Sequence, residues 1–246
     1  MKSKVPAIAR KEFFASLSGT SFWIPFAAST LFAACIGSLL RAISPAPAGE
    51  RASRIVESIL LASPVLACAV SCGTFSRKRL DGSLESLLSA PVRDSAVVLG
   101  SFAAAFAQCS FGSAAIAALW VVSSRAAGFA PLDTSELLLG CVGLAAIAAA
   151  QAAWCAGGIF CALLVRNGSG AMALALIASS VSAVVASGDI PEALSESALS
   201  RLDLIEFSLG MADTRPLFAF VSATAFFLFA SVRLLESRAW LMSRSS

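Results

Sequence analysis

The chain has no histidine and no tyrosine, and only 13% of its residues are charged. Without histidine, no Ser-His-Asp or Cys-His nucleophile can be assembled, and the commonest transition-metal ligand is missing. The charged fraction is about half of the ~25% usual in soluble globular domains. No glycine-rich phosphate loop of the Gly-x4-Gly-Lys-Ser/Thr kind occurs, so that motif does not hold a nucleotide here. The net charge of +3 is small, and the basic residues are scattered between apolar runs, which argues against a nucleic-acid partner. No catalytic constellation, cofactor or metal site is expected. No apolar run carries a carboxylate near its middle; Glu57 and Arg233 lie near ends. Carriers driven by protons or sodium use intramembrane ionisable groups or unwound helices. Energy supplied by a partner is therefore the economical reading.

Apolar length is what the chain does have. It is 58% hydrophobic, and several runs reach the ~20 residues that cross ~30 Å of hydrocarbon. Six spans are expected, at about 20–40, 55–75, 97–122, 137–165, 171–188 and 217–235. The expected fold is all-α: one polytopic membrane domain over 1–246. Pro25 falls near the start of the first span, and Pro64 predicts a kink in the second. The fourth run is longer than one upright crossing needs, so it should tilt, kink or protrude. Within it Ala145, Ala149, Ala153 and Gly157 recur every four residues, a small-residue stripe that lets another helix come close. The stripe serves packing inside the subunit or a subunit interface. The seven cysteines, Cys35, Cys68, Cys72, Cys109, Cys141, Cys155 and Cys161, all fall in apolar segments and read as packing residues. Gln108 and Gln151 are the only amide side chains deep in spans.

Residues 1–18 are basic and weakly amphipathic: Val5, Ile8, Ala9 and Phe13 share a face, with Lys2, Lys4, Arg10 and Lys11 around it. This predicts an interfacial helix or a solvated tail whose charges set orientation. Residues 189–216 are polar overall, with a helical stripe of Leu194, Ala198, Leu202, Ile205 and Leu209 that predicts short helices on the membrane surface.

The patterned stretch is Arg77 to Gly100. Leu80, Leu84, Leu87 and Leu88 fall on one side of a helix, Asp81 or Ser83 can cap its start, and Pro91 ends it. A short amphipathic helix is expected between spans two and three. With six spans both termini share a side. If that side is cytoplasmic it holds Lys2, Lys4, Arg10, Lys11, Arg77, Lys78, Arg79, Arg93, Arg166, Arg233, Arg238 and Arg244, whereas the outer side holds only Arg41, Arg51, Arg54, Arg125, Arg201 and Arg215. The positive-inside bias supports cytoplasmic termini and a cytoplasmic amphipathic helix.

The segment Gly82-Ser-Leu-Glu-Ser-Leu-Leu-Ser-Ala-Pro-Val92, followed by Val97-Val-Leu-Gly100, resembles the Gly-Thr-Leu-Glu-x-Leu-Leu-x-x-Pro-Val … Val-x-Gly-Lys segment of type-2 ABC exporter permeases, in particular the bacterial gliding-motility type. Ala9-Arg-Lys-Glu-Phe13, Leu163-Leu-Val-Arg-Asn167, Phe207-Ser-Leu-Gly-Met-Ala-Asp-Thr-Arg215 and Leu235-Glu-Ser-Arg-Ala-Trp240 resemble further pieces of that family in order, so the likeness covers nearly the whole chain. Ser83 stands where the family has Thr, and Ser101 where it has Lys. The resemblance implies a permease subunit in a bacterial inner membrane, forming the translocation path. It would pair with itself or a sibling and couple to a separate ABC ATPase subunit. Ser83, Leu84, Glu85, Leu87, Leu88 and Pro91 would belong to the helix that seats in the ATPase, and Phe207, Gly210, Asp213 and Arg215 would be candidates for an outer gate. The alternatives are a self-sufficient carrier and a non-transporting scaffold or assembly component of a surface or motility machinery.

Overall fold

The computed structural model describes residues 5–18, 20–43, 51–80, 94–126, 133–165, 167–186 and 215–243. Seven helices lie in these ranges: α1 (Val5–Ser18), α2 (Thr20–Ile43), α3 (Arg51–Leu80), α4 (Asp94–Ala126), α5 (Thr134–Leu164), α6 (Gly168–Ala186) and α7 (Arg215–Ser243). No strand occurs among the described residues. Five helices hold stretches long and apolar enough to cross a membrane: Phe22–Leu39, Ile55–Ser76, Asp94–Ser123, Glu136–Leu164 and Pro216–Ser237. The chain is therefore a multi-pass membrane protein. The expected fifth span is the exception, since the apolar part of α6, Gly168–Ala183, is shorter than the other five. The helices outrun the apolar runs at several ends; α3 begins at Arg51 and α7 continues to Ser243. Backbone hydrogen bonding carries the helix through polar residues that hydropathy leaves out.

Contacts fix the direction of each helix. Phe22 of α2 lies by Phe111 of α4, and further on Gly37 lies against Trp120, so α2 and α4 run the same way. On α3, Val56 shares a cleft with Val121, Leu66 meets Gly112, and Phe75 joins a cluster with Val98. Thus α3 runs antiparallel to α4. The start of α5 lies by Ile55 and Val56, and its Gly158 meets Ser71 and Cys72 of α3, so α5 runs parallel to α3. Helix α6 returns, with Gly168 by Ser76 and Ser179 by Cys68. Helix α7 descends from Phe220, beside Trp154, to Leu235 in the Phe75 cluster. From α2 to α7 the direction alternates at every step.

Helix α3 is the axis of the bundle, packing against α2, α4, α5 and α6. Of its apolar window 78% is buried, against 22% for α2 and 11% for α7, which places those two helices at the periphery. Pro64 lies inside the continuous α3. It has no N–H for the carbonyl of Leu60, one turn back, and Ser63 Oγ donates to that carbonyl at 2.9 Å instead. The same economy recurs along the bundle. Thr30, Ser71, Thr74, Ser101, Ser179, Thr224 and Ser231 each donate to the carbonyl four residues earlier. This is how a serine-rich chain keeps its hydroxyls satisfied where water is scarce.

Candidate functional site

Two places bear on function: an interior seam where α3, α4, α5 and α6 meet, and the end of the bundle where α3 stops at Leu80 and α4 starts at Asp94.

The seam is built in rungs. On the facing sides of α4 and α5, Cys109 and Cys155 bring their sulfurs to 3.6 Å, and one turn along Gln151 Nε2 donates to Ser113 Oγ. Between α3 and α5, Cys72 Sγ donates to the carbonyl of Gly158 at 3.3 Å. Between α3 and α6, Cys68 Sγ lies 3.1 Å from Ser179 Oγ. Trp154 Nε1 closes the set by donating to Ser182 Oγ at 2.6 Å. Small residues make these approaches possible. A Cβ on Gly158 would overlap the Ser71 hydroxyl, and one on Gly112 would lie 2.6 Å from Leu66 Cδ2.

Both span glutamines are interior. Gln151 is fully buried and Gln108 is 2% exposed. Gln108 Nε2 reaches the carbonyl of Phe13 at 3.4 Å and so ties α1 to α4. The Oε1 atoms of both glutamines are buried without a hydrogen-bond partner among the described residues. Hydropathy and amide content single out these two residues in the sequence; the partners Ser113 and Phe13, on other helices, carry no such signal.

The cysteines divide. Cys68, Cys72, Cys109 and Cys155 are buried in the bundle, whereas Cys35 and Cys141 are exposed on its surface. All seven are free thiols, and no group of His, Cys, Asp or Glu able to hold a metal ion occurs among the described residues.

The small-residue stripe lies partly at a helix contact. Ala153 is buried, Ala149 packs against the core, and a Cβ on Gly157 would stand 3.7 Å from the ring of Phe227 on α7. Ala145, at the other end of the stripe, is exposed.

Residues 81–93, with Ser83, Leu84, Glu85, Leu87, Leu88 and Pro91, lie outside the described residues, as do Phe207, Gly210 and Asp213. Arg215 is the first residue of α7. The flanks of 81–93 are described. Helix α3 delivers the chain there at Leu80 and α4 takes it up at Asp94. Near that end α1 docks on α4, its Ile8 and Val5 against Gly100, where a Cβ would come within 2.8 Å of Ile8 Cγ2. Phe75, Val98, Leu163, Ala171 and Leu235 bring α3, α4, α5, α6 and α7 together at the same end. Val5, Ile8, Ala9 and Phe13 are partly buried while Arg10 and Lys11 are exposed, so α1 has the two faces its sequence implies.

No known protein family's profile matches the chain, and no curated protein matches it.

Proposed function

We propose that this chain is the transmembrane permease subunit of a type-2 ATP-binding cassette exporter, coupled to a separate ATPase through residues 81–93. In this reading α2 to α7 make six crossings, α6 being the shortest, and both termini are cytoplasmic in a bacterial inner membrane. Helix α1 lies at the inner interface. The chain holds no ATPase chemistry itself. A second permease, identical or related, completes the translocation path.

One observation carries the proposal beyond the sequence resemblance. The segment to be pushed is joined directly to α3, the most buried of the spans, which packs against four other helices. A force applied at 81–93 enters the bundle at its axis. Packed interfaces answer such a force by shifting between discrete arrangements instead of deforming smoothly, so motion of α3 reaches α2, α4, α5 and α6 together. Gly158, with no side chain, lets α5 close on Ser71 of α3, so a displacement of α3 is passed to α5.

The test is reconstitution. The full chain is co-expressed with a candidate ABC ATPase subunit, and the complex is purified and placed in liposomes. Stable co-purification and nucleotide hydrolysis stimulated by the permease are expected. If the chain moves cargo in liposomes on an ion gradient alone, it is a self-sufficient carrier. If it binds partners with no nucleotide-dependent change, it is a scaffold. Either result overturns the proposal.

A further inference from the structure

At the end of the bundle opposite Leu80 and Asp94, an apolar cleft opens between α3, α4 and α5. Its walls include Val56, Ala117, Val121, Leu137 and Leu144, and Glu136 is the one charged residue among those lining it. Glu136 is the third residue of α5 and belongs to a capping box. Asp133 Oδ1 accepts from the backbone of Thr134 at 2.8 Å, and Glu136 Oε2 accepts from the backbone N–H of Asp133 at 3.2 Å. That arrangement uses one carboxylate oxygen. The other, Oε1, is buried and has no hydrogen-bond partner among the described residues. A carboxylate oxygen left without a donor is costly in a poorly hydrated place. Leu138 and Cys141, on the same turns of α5, are exposed to the bundle's surroundings, which for a span are lipid.

The geometry points to a lipid site: the cleft takes the upper acyl chain of a membrane lipid whose head carries a primary ammonium group, and that group donates to Glu136 Oε1. Two features select this ligand. The walls are hydrocarbon, so they suit an acyl chain and gain nothing from a polar solute. The unpartnered atom is an acceptor with negative charge, so it requires a cation that also donates a hydrogen bond. A primary ammonium has three N–H donors, whereas a trimethylammonium head has charge but none. The site is read from the cleft alone and goes beyond the permease proposal, which can fail without touching it.

The experiment uses the full chain in lipid nanodiscs of phosphatidylcholine. These are doped, at equal mole fraction, with phosphatidylethanolamine or phosphatidylcholine bearing a diazirine high on one acyl chain. After irradiation, labelled peptides covering residues 117–121 and 136–144 are quantified by mass spectrometry. The ethanolamine probe is expected to label them about tenfold more than the choline probe, the value of one charge-assisted hydrogen bond. Glu136→Gln keeps the capping box, because glutamine also accepts from the cap backbone, and it is expected to bring the ethanolamine probe down to the choline level. Ala117→Phe fills the cleft and is expected to lower both probes. Equal labelling by the two probes in the native chain, or an ethanolamine excess that survives Glu136→Gln, overturns the proposal.

Discussion

Gly158 of α5 lies so close to Ser71 of α3 that a Cβ added at 158 would overlap the serine hydroxyl. The hydroxyl is not free to swing away, because it donates to the carbonyl of Ala67 at 2.6 Å. Gly158→Ala should therefore destabilise the bundle by about 1–3 kcal/mol, the usual cost of overpacking a close contact. Thermal unfolding in detergent measures it. Adding Ser71→Ala should recover part of the loss, and no more than part, since the Ser71 Cβ itself would lie 3.1 Å from the new methyl. A Gly158→Ala variant as stable as the parent would show that α3 and α5 are not in this register.

The hydrogen bond from Gln151 to Ser113 joins α4 and α5 within the interior. Hydrogen bonds between membrane helices contribute about 0.6 kcal/mol on average and seldom exceed ~1.7 kcal/mol. A double-mutant cycle of Gln151→Leu and Ser113→Ala, read by equilibrium unfolding in mixed micelles, should give a coupling within that range. Strict additivity would mean that the two side chains do not meet.

Cys109 and Cys155 offer a chemical ruler for the same pair of helices. Their sulfurs are 3.6 Å apart, and a disulfide needs about 2.05 Å, so a small breathing motion suffices. In a variant whose other five cysteines are replaced by alanine, copper-phenanthroline should remove two electrons and two protons from the pair and join them. With a protease site inserted in 127–132, the oxidised chain should stay in one piece on a non-reducing gel after cleavage. Separation into two fragments would contradict the antiparallel α4–α5 packing.

If α6 makes the sixth crossing, periplasmic-active reporters fused after Gly128 and after Gly188 should both be active, and one fused after Asn167 should be silent. Activity after Asn167 with silence after Gly188 would reverse the orientation. Equal behaviour at 167 and 188 would leave α6 on one side.

The coupling role proposed for residues 81–93 is tested with Glu85→Arg and Leu87→Asp. Each should reduce the partner's nucleotide hydrolysis severalfold while the chain still inserts and α1 to α7 keep their thermal stability. Full stimulation in both variants would remove residues 81–93 from the partner contact.

Much of the architecture is legible along the chain. Apolar run length finds α2, α3, α4, α5 and α7, since a backbone without water must close its hydrogen bonds within each segment. Run length starts the fourth span at 137, three residues inside α5, because the capping box of Asp133 and Glu136 begins the helix in polar residues. Partners across helices are another matter. Nothing near Gln151 in sequence points to Ser113, and nothing near Pro64 requires that the serine beside it should relieve the carbonyl of Leu60.

Composition and run length by themselves determined a helical, multi-pass membrane protein, with its polar interruptions and its two interior amides. The tertiary structure alone decided which helix is central. The apolar windows of α3 and α7 have almost equal mean hydropathy, 2.0 and 1.9, yet 78% of one and 11% of the other is buried. The reason is that lipid and protein interior are equally apolar, so hydropathy cannot separate a helix facing one from a helix facing the other. What separates them is shape: Gly158 beside Ser71 and Gly112 beside Leu66 let α5 and α4 close on α3, and that fit exists only once the helices meet.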